Sequence, residues 1–197
     1  MSERFSQLAR LERSRAIARE AAFVLEEKGC FHLKVEDVAR AAGVAKGTVY
    51  LDFTSKGSLL SKTLSGACEL LLAKIETRVC YLESPELRLH EAVQVLAECV
   101  VAPSELGVLL EGRLPCAARW MGGDMSPYER LEERLSEFVA ESFPPPLCEP
   151  LLTAQALIAV SSTPRSRQLA SDRGPLALAE VLLKVVDAMN SPAPPPA

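Results

Sequence analysis

Val35-Glu-Asp-Val-Ala-Arg-Ala-Ala-Gly-Val-Ala-Lys-Gly-Thr-Val-Tyr-Leu-Asp-Phe-Thr-Ser-Lys56 reads as two short helices joined by a tight turn. Val35, Val38, Ala39 and Ala42 recur at helical spacing and give the first of them one apolar face. Gly43 follows, where a left-handed residue ends a helix without a Cβ penalty. Val44 can then tuck under the corner. The second helix, Ala45 to about Leu51, turns Val49 inward and offers Lys46, Thr48 and Tyr50 at or near its outer face and start. That is the grammar of a helix-turn-helix, whose second helix enters the DNA major groove N-terminal end first.

The flanks sharpen this reading. Ile17 to Gly29 precedes the motif as an amphipathic helix that ends on its glycine. Tyr50-Leu-Asp-Phe53 and Ser55-Lys56 follow, and Leu59-Leu60 opens a long helix. Over about residues 13 to 64 this succession resembles the TetR family of bacterial transcriptional regulators. The resemblance implies an all-α chain with an N-terminal helix-turn-helix head, residues 10–70. A long helix would join it to a helical-bundle ligand-binding and dimerisation body, residues 71–190, with a disordered tail at 191–197.

Three positions depart from the family pattern. Lys34 stands where a Thr usually caps the first helix of the motif, and loss of such a cap costs about 1 kcal/mol. Leu33 and Val35 can offset this by packing into the small core. Gly57 replaces an acid that often follows the Ser-Lys pair, so the next helix loses a favourable charge from its first turn. Asp52 takes a place where a neutral or aromatic residue is common. It would repel phosphate, so either it points away from DNA or it accepts from a cytosine amino group.

Charge is spread unevenly along the 197 residues, whose net charge is −4. Residues 1–57 hold ten Lys or Arg and eight acids, whereas the remainder holds twelve and eighteen. A mildly basic head on an acidic body suits local, oriented docking on DNA and excludes a generally basic nucleic-acid coat. No stretch has the length of a membrane span and no charged start leads into an apolar signal core, so a cytoplasmic protein is expected. Cys30, Cys68, Cys80, Cys99, Cys116 and Cys148 show no CxxC pairing and are expected as small, mostly buried apolar residues. With only His32 and His90 beside them, no metal site and no cofactor are expected.

All fourteen prolines lie at or after Pro85, so the first 84 residues can run as helices broken only by glycine. Helices are expected near 10–28, 35–42, 45–51 and 56–82, after a loose arm at 1–9. The fourth carries Leu60, Leu64, Cys68, Leu71 and Ile75 on one stripe. Ser84-Pro85 reads as a cap and first helical residue, and Leu89, Val93, Leu96 and Val100 face inward from there. Ser126-Pro-Tyr-Glu129 is a capping box, followed by an apolar face of Leu131, Leu135, Phe138 and Val139 that Pro144-Pro-Pro146 stops. Residues 150–161 are apolar nearly all round, and 175–189 have a wide apolar face.

Within the head, Lys46 can reach phosphate or a guanine edge. Thr48 can serve phosphate or a thymine methyl, and Tyr50 can bring its hydroxyl to the backbone. Gly47 permits close approach of the backbone, Ala45 at the helix start is counted with the DNA contacts, and Lys56 joins the exposed amides at the start of its helix as a phosphate clamp. Glu36 and Arg40 suit either a base or phosphate contact or a solvated face. Arg10, Arg13 and Arg15 suit either a minor-groove arm or a solvated helix start.

For the body, Trp120, Tyr128 and Phe138, with Phe143, suit the walls of an apolar pocket, and Arg113 and Arg119 its polar anchors. Ordinary core packing is the competing reading for each aromatic. The resemblance places the last two helices in a homodimer interface, with Leu157, Leu178, Leu182 and Val186 on it, and the core of a monomer is the competing reading. No nucleophile elbow, phosphate-binding glycine loop or metal pair is present, so no enzyme is expected. The expected function is a sequence-specific repressor that a small hydrophobic inducer releases from a pseudo-palindromic operator. The alternative is a DNA-binding protein whose body binds a partner protein.

Overall fold

A computed structural model describes residues 2–101, 126–143 and 149–191. Its described residues are helical, without strands: α1 (Ser2–His32), α2 (Val35–Ala41), α3 (Lys46–Asp52), α4 (Lys56–Val79), α5 (Pro85–Val101), α6 (Ser126–Ser142), α7 (Pro150–Ser161), α8 (Pro164–Arg173) and α9 (Pro175–Asn190). They fall into two compact units divided between Ala67 and Cys68 within α4.

The first unit packs α1, α2 and α3 together. Its core is Ile17, Ala21, Leu25, Leu33, Val38, Val49 and Phe53. Residues 2–9 of the expected arm are instead the first turns of α1, because no glycine or proline interrupts residues 2–28. Gly29 breaks that helix as expected, with φ 75°, and one further turn leads to buried Leu33. At the corner after α2, Gly43 has φ 65° and donates to the Arg40 carbonyl at 3.2 Å. Val44 donates to the Ala39 carbonyl at 2.9 Å. Together these bonds close a Schellman turn that only a residue at ease with positive φ completes without strain.

Both suspected defects of the head are repaired. Lys34 gives α2 no side-chain cap, but Leu33 and Val35 are buried beside it. The missing acid at Gly57 is replaced by a reciprocal pair of serines. Ser58 N donates to Ser55 Oγ at 3.0 Å, and Ser55 N donates to Ser58 Oγ at 3.1 Å. This is a capping box with a hydroxyl in place of the usual carboxylate or amide.

The second unit is a bundle in which α6 packs on α7, and α5 meets α6, α7, α8 and α9. Every residue expected on the inner faces of α5 and α6 is buried, as are Cys68, Leu71 and Ile75 of the α4 stripe, while its Leu60 and Leu64 are buried in the first unit. Proline opens α5, α7, α8 and α9 at their first position. The periodicity of the sequence missed α8, because its ten residues are mostly polar and only Ser166 and Ala170 are buried.

The expected dimer residues are placed differently. Leu157, Leu178, Leu182 and Val186 lie in the core of this unit, essentially without exposure. The large apolar side chains left exposed on these two helices are Leu151, Leu152, Leu176 and Val181. An apolar helix with two faces gives one to its own bundle, and the 178–182–186 stripe is the one consumed. The tail from 192 onward, Arg113, Arg119, Trp120, Cys116 and Cys148 lie outside the described residues. Leu135 sits fully buried between neighbouring helices, so Leu135→Ala should destabilise the protein by about 2–5 kcal/mol in a denaturant titration.

Candidate DNA-reading surface

The sides of α3 have separate uses. Val49 is buried, and Phe53 beyond its end is buried with it. Ala45, Lys46, Gly47, Tyr50 and Leu51 are exposed, and Thr48 is half-buried. Nothing lies within 4 Å of a Cβ built on Gly47, so open space adjoins the backbone there. Leu51 is 70% exposed and was missed as a candidate. An apolar side chain held in water beside Tyr50 suits contact with a thymine methyl. Helical spacing alone assigned it no face, since it lies next to both the inner and outer stripes.

Asp52, the last residue of α3, is turned inward. Its carboxylate accepts from Arg13 Nε at 2.8 Å and Arg13 Nη2 at 2.9 Å, and from Arg10 Nε at 3.3 Å. Arg10 Nη2 also donates to the Leu51 carbonyl at 3.3 Å. The Asp52 side chain is 1% exposed, which removes it from any cytosine. Arg10 and Arg13 therefore brace α3 from α1, a role absent from both readings the sequence offered. The Arg13 guanidinium holds the Asp52 carboxyl below the usual carboxylate range, and Asp52 raises Arg13 in turn.

A second cluster spans the corner. Lys46 Nζ lies 2.5 Å from Glu36 Oε1, with the two side chains 51% and 52% exposed. The ammonium also sits 5.8 Å from the centroid of the Tyr50 ring. Their hydrogen bond lowers Glu36 and raises Lys46 from their ordinary pKa values. Arg40 is exposed, 3.5 Å from Asp37, whose other oxygen meets Lys28 at 2.9 Å. Lys56 is half-buried in the first turn of α4. The structure thus gathers Glu36, Lys46 and Tyr50 into one contact group, and leaves Arg40 on the outer side of α2.

In the second unit, Phe138 is fully buried beneath the Arg134 guanidinium, 4.2 Å from its ring centroid. Tyr128 is half-buried, and burial first, then Glu132, raises its phenol above the ordinary value. Burial pushes the Cys68 thiol up to about 12 and that of Cys99 up to about 11, so both stay protonated near neutrality. Cys80 is exposed, contrary to the general expectation for the cysteines.

Residues 17–63 match the model of a family described as bacterial regulatory proteins, tetR family. The chain carries a TetR-family head. No curated protein matches it in sequence. Among solved structures, AibR in complex with isovaleryl coenzyme A and operator DNA superposes with TM-score 0.66 at 17% identity. That match covers 91% of this chain and 99% of AibR. FadR from Bacillus subtilis in complex with stearoyl-CoA gives 0.66 at 17%, covering 90% and 97%. A TetR-like transcriptional regulator from Rhodococcus sp. RHA1 gives 0.67 at 19%, covering 88% and 93%. At such identities the likeness is one of fold, and the TetR fold accommodates the described residues of both units.

The depressed Asp52 fixes an acid dependence. Stability from its ion pairs is complete above the unfolded carboxylate value, about 3.9, and is lost as pH falls through the lower folded value. Asp52→Asn should lower the melting temperature at pH 7 by about 2–4 °C and flatten its decline on acidification. A melting temperature unchanged at pH 7, with the same decline on acidification, would show that the brace contributes nothing.

Proposed function

We propose that this TetR-family DNA-binding regulator is a homodimeric repressor that reads a pseudo-palindromic operator through α3. The observation that carries this reading is the division of α3. Val49 and Asp52 secure it from within, while Lys46, Gly47, Tyr50 and Leu51 are exposed on the outside. Phosphate contacts from Lys56 and Arg40 would position the head, and the outer face of α3 would read bases. The operator DNA bound to AibR supports the same use of a like fold.

For the dimer, the outer faces of α7 and α9 are the candidates, with Leu152 and Val181 taking the place of the buried residues first expected. For the inducer, AibR and Bacillus subtilis FadR were solved with acyl coenzyme A thioesters, which supports an acyl chain with an anionic head as a first class to test. Arg113 or Arg119 would serve that head, and Tyr128 and Trp120 the chain. The ligand must favour the DNA-incompetent dimer, since equal affinity for both forms shifts nothing. A hundredfold preference corresponds to about 2.7 kcal/mol of coupling, within the usual allosteric range.

Selection from randomised duplexes with the purified protein tests the DNA reading and supplies the operator. Lys46→Ala should then weaken binding to it roughly tenfold to hundredfold. Lys56→Ala should weaken all duplexes alike and reduce the salt slope by about one unit. Equal affinity of wild-type protein for selected and scrambled duplexes would end the reading.

The dimer and the switch have separate checks. Val181→Glu should yield monomers in sedimentation that bind the operator weakly, and a stable dimer would move the interface elsewhere. Titration of isovaleryl-CoA or stearoyl-CoA into the operator complex should release DNA. Binding of either without release would remove induction by that class.

A further inference from the structure

Glu36 and Lys46 present an acceptor and a donor side by side. They stand 2.5 Å apart, both half exposed, on two helices whose relative placement the Gly43 corner fixes. We infer that the two act as one unit that reads a single G·C base pair in each half-site. Lys46 would lie on the guanine edge and Glu36 on the cytosine amino group. This rests on the DNA reading proposed above and adds the base pair it requires.

Complementarity carries the assignment. In the major groove a G·C pair shows the guanine N7 and O6 acceptors next to the cytosine N4 donor. Two side-chain tips 2.5 Å apart match neighbouring groups on one base-pair edge. Lysine has three N–H donors and the carboxylate has two oxygens, so the pair can hold together while each member bonds a base. The ammonium lies near the Tyr50 ring as well, which steadies its position before DNA arrives.

Charge argues the same way. A lysine that serves the phosphate backbone adds its full charge to the attraction for any duplex. Here Glu36 neutralises it, so the pair adds little to non-specific binding and is suited to discrimination. Glu36 also repels the acceptors of wrong bases, the O4 of thymine or the O6 and N7 of a guanine placed where cytosine belongs.

The test uses the full chain, the selected half-site and Glu36→Gln, with thermal melting to verify folding. Every half-site position is varied singly, and affinity for an unrelated duplex is followed against salt. Wild-type protein should prefer G·C at one position by roughly tenfold to hundredfold. Glu36→Gln should lose most of that preference and keep the others. With Lys46 released, it should bind the unrelated duplex more tightly, with a salt slope steeper by about one unit. Unchanged preferences in Glu36→Gln at every position, or a change only at an A·T pair, overturn the inference and leave the DNA reading standing. A wild-type protein without any sequence preference overturns both.

Discussion

A helix of seven residues does not sustain itself in water, because too few hydrogen bonds repay its nucleation. The recognition helix α3 has that length, and its N-cap Ala45 supplies no side-chain bond. It persists because the rest of the head holds it. The Schellman turn at Gly43 delivers the chain to its first residue, Val49 and Phe53 anchor its inner face, and Arg13 grips Asp52 at its end. With these anchors on one side, the other side keeps Lys46, Tyr50 and Leu51 exposed.

The head's charges divide by depth. The Asp52 side chain is 1% exposed and accepts three bonds from Arg13 and Arg10, which tie α3 to α1. Glu36 and Lys46 are half exposed, and ion pairs of that kind contribute little to folding and exchange readily for other partners. One cluster ties α3 to α1, and the other stays open to solvent and to new partners. Their different exposure makes that division, although both join an acid to a base across two helices.

Features with a period were legible in the sequence. The apolar stripes of α2, α4, α5 and α6 and the breaks at Gly29 and Gly43 follow from residue spacing and backbone preference. Features that depend on distant partners were not. Asp52 could be read as pointing away from DNA, but Arg13 lies 39 positions earlier and no local pattern links them. Ser58 was overlooked because a serine at that position of a capping box is a weaker signal than an acid. In α7 and α9 both stripes are apolar, so spacing could not tell the stripe that meets the bundle from the one left outside. That ambiguity put Leu157, Leu178, Leu182 and Val186 on the outside, where the bundle buries them.

The later turns of α4 show how such a protein could hold two arrangements. Along one side run Leu71, Ile75 and Val79, buried and dry. Along others run ion pairs: Arg78 with Glu91 and with Glu98 at 3.0 Å, and Glu76 with Arg134 at 2.6 Å. Exposed pairs have long side chains and shallow wells, so a small rotation of the helix stretches them at little cost. A close-packed stripe does not stretch. It either stays or repacks into another set of rotamers, and packed interfaces are bistable for that reason. A ligand that moved α4 would therefore have to act on its apolar stripe, and the polar side would follow. Mutation of the ion pairs alone would then change the balance of states only slightly, whereas a cavity cut beside Ile75 would change it strongly.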